Sequence, residues 1–399
     1  MLSISQRAKN ATSSPIRKLS PLAESAKQKG VKVYHLNIGQ PDLETPDLVL
    51  EAFNSLKNKT LAYAPSNGLP ESLESWQKYF ADHQIEVKTA DILITTGGSE
   101  ALLFAFLAVA DYGQEIVVFE PFYANYKGFS EIAGLKLVPV TCQAENGFAL
   151  PKIEEIESKI SAKTKAILLC NPNNPTGTFY PQEELAKIAD LAKKHQLFVI
   201  TDETYREIVF DDLKHFSLLN FPEISDQVIL TDSVSKRFNA CGARIGCLVC
   251  RNPEIIENCL KFAQSRLSVA SLEQLAFNSL LKDSKNYTQE IKAEYQARRD
   301  VICEELAKIP NIVFKRPEGA FYATVKLPID NAEDFATWLL KDFQVNNETV
   351  MVAPANDFYA TPHLGQNEVR IAYVLNTQDI KKAIAIFGQG LKTYQEIKR

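Results

Sequence analysis

The sequence predicts an α/β protein: a mainly parallel sheet lies between two layers of helices, and a smaller α+β part follows it. Three observations predict this. Short apolar runs alternate with helical patterns between residues 92 and 249, which is how the strands of a doubly covered parallel sheet read. Past about residue 290 the texture changes to short alternating strands mixed with helices. The chain has 399 residues, 45% of them hydrophobic, too many for one small domain and enough for two cores.

Each element follows from its pattern. Residues 72–80 place Leu73, Trp76 and Phe80 at helical spacing. Residues 92–94 are a short apolar strand that runs into Thr95-Thr-Gly-Gly98, and 99–110 read as a helix that is apolar nearly all round and therefore buried. Further buried strands are expected at 116–119, 166–169, 197–200, 228–230 and 245–249, with a helix at 183–195. A long helix is expected over 287–309, then strands at 321–325, 350–353 and 369–374 and helices at 332–340 and 379–394. The expected division is an N-terminal arm with part of the small domain (1–45), a large domain (46–290) and a C-terminal small domain (291–399). The first 30 or so residues are polar and include Ser13-Ser14-Pro15, an arm that packs on something else or a partly ordered tail.

Composition excludes several classes. A net charge of −5 and a pI near 5.7 argue against a nucleic-acid binder, which needs a basic face. Seven cysteines in a long chain do not read as a secreted disulfide framework. Cys247 and Cys250 have a CxxC spacing, but inside an apolar run with no second Cys or His pair nearby, so core thiols are expected and no metal. The first 18 residues hold no apolar signal segment, and the longest apolar run, 101–110, is too short to span a bilayer. A cytoplasmic protein with no membrane partner is the expectation.

The unusual residues fall at the ends of the apolar runs, where open α/β sheets place ligands. Thr95-Thr-Gly-Gly-Ser-Glu-Ala101 leads a strand through two glycines into a helix, whose free N–H groups and dipole suit a phosphate. An ordinary serine N-cap reads the same way. Asn171-Pro-Asn-Asn-Pro-Thr-Gly177 is a proline-stiffened loop that can aim an amide side chain; a plain turn is the alternative. Asp202 and Tyr205 close the next strand. A buried Asp needs a partner, and a protonated ring nitrogen would be one. In Thr231-Asp-Ser-Val-Ser-Lys-Arg237, Lys236 sits among hydroxyls, where an amine can be tuned as a nucleophile; most lone lysines are only solvated charges. Arg370 lies in an apolar strand, where its fork of donors matches a carboxylate, or else an internal salt bridge.

As a set, in this order and spacing, these segments resemble the class I/II aminotransferases of pyridoxal-phosphate fold type I, aspartate-aminotransferase-like. The resemblance runs from Asn37-Ile-Gly-Gln-Pro-Asp42 to Val369-Arg-Ile-Ala372. It implies a large domain with a mainly parallel seven-stranded sheet plus a smaller α+β domain. It implies pyridoxal 5'-phosphate on Lys236 as a Schiff base, with Lys236 also moving the α-proton. Asp202 would hold the ring nitrogen protonated. Asn174 and Tyr205 would bond the phenolic oxygen, and Tyr123 would stack on the ring. Gly98, Ser99, Ser233, Ser235 and Arg244 would hold the phosphate. Arg370, with Asn174 and Gly39 beside it, would bind the substrate. Tyr63 resembles the tyrosine that reaches the phosphate of a neighbouring subunit, which implies a homodimer with shared sites. Two positions depart from the pattern: Ala355, where many relatives have Gly, and Asn239-Ala-Cys-Gly242, where they often have Thr-x-x-Gly.

The implied reaction moves an amino group from an L-amino acid, aspartate or glutamate first, to a 2-oxo acid such as 2-oxoglutarate. Aromatic or neutral amino acids come second. A β-lyase or a cyclase of the aminocyclopropane-carboxylate type would use the same Lys, Asp and Arg, and a binding protein with a dead site would be expected to lack the lysine. Arg266 is a candidate for a side-chain carboxylate by position, Asn67 for the pocket wall, and Arg237 is expected to face away.

Overall fold

The computed structural model describes residues 2–10, 14, 16–55 and 60–398; Ser13 and Pro15 of the polar arm lie outside them. After a first short strand, β1 (Lys32–His35), the chain builds one large sheet from β2 (Ile92–Thr95), β3 (Glu115–Glu120), β4 (Lys136–Thr141), β5 (Thr164–Cys170), β6 (Phe198–Asp202), β7 (Val228–Ser233) and β8 (Gly246–Cys250). The strand order is β2-β8-β7-β6-β5-β3-β4. Only β8 runs antiparallel to its neighbours; the rest pair in parallel.

Side chains alternate across this sheet, as strands require. On β5 and β6, Ile167, Leu169 and Val199 enter one core cluster, which includes Trp76 and Tyr79. Ala166, Leu168 and Ile200 enter another, with the Gly97–Val109 helix. Each Val, Ile or Leu so buried contributes about 1.5–3 kcal/mol relative to exposure. The same alternation decides two questions. Cys247 and Cys250 are buried in clusters on opposite faces, so they can neither pair nor share a ligand. At the strand ends it sends Ser233 one way and Asp232 the other.

A third core joins residues from 19–36, 205–210 and 291–394. It contains an antiparallel sheet of β9 (Tyr322–Lys326), β11 (Ala353–Pro354) and β12 (Glu368–Ala372), while β10 (Glu348–Met351) pairs in parallel with β1. The strand expected over 350–353 is thus two strands in two sheets, divided at Val352. The long helix is Lys285–Leu306 and runs unbroken through residue 290. Strand β4 has no counterpart in the sequence reading. It is an edge strand, half-buried, with Pro139 within it, and its mixed composition hides the apolar signal while the edge tolerates the missing N–H. Among the described residues no helix is long and apolar enough to cross a membrane.

Candidate active site

A cavity of about 660 Å³ opens at the C-terminal ends of β5, β6 and β7 and is closed on the far side by β9 and β12. One end is built to receive an anion. The Gly97–Val109 helix starts there, and Gly97 has a φ of +71°, with the Arg244 guanidinium occupying the space where a Cβ would sit. The left-handed backbone there favours glycine. Ser233 Oγ lies 2.7 Å from Ser235 Oγ, and Arg244 is steered by bonds to the Cys241 and Thr96 carbonyls at 3.1 and 3.4 Å. Gly98, Ser99, Ser233, Ser235 and Arg244 all line this end.

Lys236 stands on the short Val234–Arg237 helix, whose N-cap Ser233 accepts from the Ser235 amide. Its Nζ donates to the Gly39 carbonyl at 2.8 Å and lies 3.4 Å from Cys241 Sγ. A side chain at Gly39 would overlap the Tyr322 hydroxyl, so the close approach of this loop depends on glycine. Asp202 ends β6. It accepts from the Tyr126 hydroxyl at 2.8 Å and from the Thr204 amide at 3.2 Å, and no cation pairs with it among the described residues. Burial raises its pKa, and the hydrogen bonds offset this only in part.

Opposite it, Arg370 on β12 is 1% exposed. Nη1 donates to Asn174 Oδ1 at 3.1 Å, Nη2 to the Asn37 carbonyl, and Nε has no partner. The guanidinium lies between the rings of Tyr322 and Phe358, 4.6 and 5.0 Å from their centroids. Burial without an acid lowers its pKa. The Tyr205 and Tyr322 hydroxyls are 2.9 Å apart. Tyr123 holds its hydroxyl 2.8 Å from Asn125 Nδ2, and burial pushes its pKa up to about 12.

Twelve of the thirteen expected site residues therefore share one cavity. The thirteenth, Tyr63, is 79% exposed and lies off its wall. Two expectations need correction. Arg266 does not face the cavity: it pairs with Glu100 at 3.2 Å and donates to the Ser66 and Ile94 carbonyls, tying loops together. Asn67 does not line the wall; its carbonyl accepts from the Ile94 amide. Tyr126, Tyr322, Cys241 and Arg17 were not singled out from the sequence. Tyr126 alone left a trace, three residues after Tyr123 in an aromatic string.

Behind the lysine, on the other face of the sheet, lies a second set of buried charges. Arg237 faces away from the cavity, as expected, and pairs with Asp232 in the core. Arg206 lies 2.8 Å from Glu203 and 3.4 Å from Asp232. Glu207 accepts from the Tyr79 hydroxyl at 2.8 Å and pairs with His83. Burial alone would raise Glu207, but His83 brings it down to about 2.

The same arrangement of chain is found in known proteins. Residues 31–387 match the family described as aminotransferase class I and II. The aspartate aminotransferase of Pyrococcus horikoshii is 31% identical over 92% of each chain. The aspartate/prephenate aminotransferase of Thermus thermophilus is 30% identical over 98% of this chain and 99% of its own. Among solved structures, a single mutant of Thermus thermophilus aspartate aminotransferase superposes with a TM-score of 0.89 at 29% identity, covering 98% of this chain and all of that one. An alanine aminotransferase from Pyrococcus furiosus gives the same values. The likeness thus extends over nearly the whole length of this chain and of these relatives, and the chain belongs to the class I and II aminotransferase family.

Proposed function

We propose that this chain is a pyridoxal-phosphate-dependent aminotransferase that takes the amino group of L-aspartate or L-glutamate and passes it to a 2-oxo acid, 2-oxoglutarate first. The observation that carries the reading is the pair of unmatched buried charges that line the same cavity as Lys236. Among the described residues, Asp202 is a carboxylate with no paired cation and Arg370 a guanidinium with no paired acid. A protonated pyridine nitrogen suits the first and a substrate α-carboxylate the second. The cradle of Gly98, Ser99, Ser233, Ser235 and Arg244 suits the phosphate. Asn174 and Tyr205 suit a phenolic oxygen, and Tyr123 a ring face. The named relatives support aspartate as the donor, and one solved Thermus thermophilus aspartate aminotransferase is described with maleate, a dicarboxylate.

Pyridoxal phosphate, when bound, supplies an electron sink for the pair left at the substrate α-carbon. The protein does the rest. Lys236 would hold the cofactor through Nζ and, as a free amine, would move the α-proton with the same atom. Arg370, fixed by Asn174, Asn37 and two rings, orients the substrate by its α-carboxylate. Asp202 keeps its orientation through Tyr126.

We also read the chain as two lobes that meet at this cavity, with residues 46–290 as the larger. A second copy would cover the exposed Leu61, Tyr63 and Leu267 and bring Tyr63 to its phosphate, giving a homodimer with shared sites. Seven free cysteines support a reducing, cytoplasmic setting.

The test is a spectrum of the cofactor-loaded protein under single additions of amino acids. Conversion of the bound cofactor to its amine form by aspartate or glutamate, reversed by 2-oxoglutarate, is the expected result. Conversion by neutral amino acids alone would move the substrate. Release of pyruvate and ammonia with no acceptor would make the enzyme a lyase.

A further inference from the structure

The cavity wall carries four cations, Arg17, Lys236, Arg244 and Arg370, against one carboxylate, Asp202. The proposed function uses three of them. Arg244 faces the phosphate cradle, Lys236 the reacting centre and Arg370 the α-carboxylate. Arg17 is left over. We propose that Arg17 binds the side-chain carboxylate of the substrate, so that the preferred substrates are dicarboxylic amino acids and oxo acids; this rests on the aminotransferase reading above.

The backbone around Arg17 is fixed. Ile16 packs against Ala124, Ala353, Ala355 and Phe358, and its carbonyl accepts from Asn37 Nδ2 at 2.8 Å. Asn37 in turn accepts from Arg370 through its own carbonyl, so one residue ties the position of Arg17 to the arginine that takes the α-carboxylate. On the other side Leu19 is buried in the third core, and the Arg17 carbonyl accepts from the Ser20 amide at 3.0 Å. The neighbouring Lys18 is spent on Glu333 at 2.6 Å and Asp357 at 3.7 Å. The Arg17 guanidinium has no hydrogen bond or ion pair among the described residues, and it is exposed to the cavity mouth.

A second carboxylate would balance that charge through two parallel N–H bonds, the geometry a guanidinium is shaped for. Arg266 is already committed to Glu100. Among the described residues the cavity is lined by no arginine or lysine besides Arg17, Lys236, Arg244 and Arg370, and Arg244 is held by the Cys241 and Thr96 carbonyls.

Arg17→Gln and Arg17→Lys, both changes at an exposed position, test this. In the cofactor-loaded enzyme, Arg17→Gln is expected to lower kcat/KM for aspartate roughly 10- to 100-fold, chiefly through KM. It is expected to leave alanine turnover within about twofold, with the lysine variant in between. Calorimetric titration of the loaded protein with succinate and with propionate reads the same contact without turnover. Succinate affinity should fall in Arg17→Gln and propionate affinity should not. An active variant whose aspartate-to-alanine ratio is unchanged overturns the proposal, as does a wild type that binds the two acids equally. A wild type that transfers no amino group to any oxo acid would instead sink the aminotransferase reading, and the succinate titration would still decide Arg17.

Discussion

Two sets of buried charge lie back to back across the large sheet, and they are put together differently. Behind the sheet, Asp232, Glu203 and Glu207 each have a basic group within 4 Å, and Arg206 and Arg237 each have an acid. Their guanidinium groups also lie over rings: Arg237 is 4.5 Å from the centroid of Tyr79 and Arg206 is 5.0 Å from that of Phe80. In the cavity, Asp202 and Arg370 are also buried, and neither pairs with an opposite charge among the described residues. Desolvated charges are tolerated when matched and strained when not. Every charge of the first set has an opposite charge beside it, although Asp232 Oδ2 and the Nε and Nη1 atoms of both arginines make no hydrogen bond; the second lacks the counter-charge that a ligand can supply. What marks the functional site is therefore missing counter-charge rather than burial or charge as such.

Substitutions should separate the two sets. The largest effect is expected from Lys236→Ala, which removes both the cofactor anchor and the proton carrier; amino transfer should fall by about 10⁴-fold or more, read in a coupled assay, with the melting temperature nearly kept. Arg370→Gln should lower kcat/KM by roughly 10²–10³-fold, again without unfolding. Behind the sheet the pattern reverses. Arg237→Met leaves Asp232 buried with one cation fewer and should cost about 3–5 kcal/mol of stability by denaturant titration; if activity fell while stability held, the division into two sets would be wrong. Tyr126→Phe removes one hydrogen bond from Asp202 and should lower kcat about tenfold.

The smallest effect is a pH dependence. Asp202 binds its proton more tightly folded than unfolded in the cofactor-free protein, because burial raises its pKa above the ordinary 3.8. The folded state then holds the extra proton, so this contribution to stability is full below 3.8 and is lost as pH rises through the folded value. Asp202→Asn should remove that part of the slope, and loading the cofactor should remove it in the unmutated protein.

Much of this was legible in the sequence because the cavity is made of strand ends. Asn174, Asp202, Ser233 and Lys236 each follow an apolar run that announces itself, and a parallel sheet brings such ends together. Contacts between distant segments were not legible. Tyr126 reaches Asp202 across 76 positions and Arg370 reaches Asn37 across 333, with no local pattern to signal either. Arg266 illustrates the reverse error: its position suggested a substrate contact, but Glu100 and two carbonyls, all remote in sequence, had already claimed it.

Lys236 and Arg237 are consecutive, yet one enters the cavity and the other the core. The arginine works as an anchor bolt set in the rear wall, while the lysine chain in front keeps four methylenes of slack. An amine that must first be tethered and later shuttle a proton needs that combination of a fixed root and a free tip. Damage far from the cavity, at Asp232 or Arg206, would then loosen the root, and its first symptom would be a cofactor that washes out on dialysis.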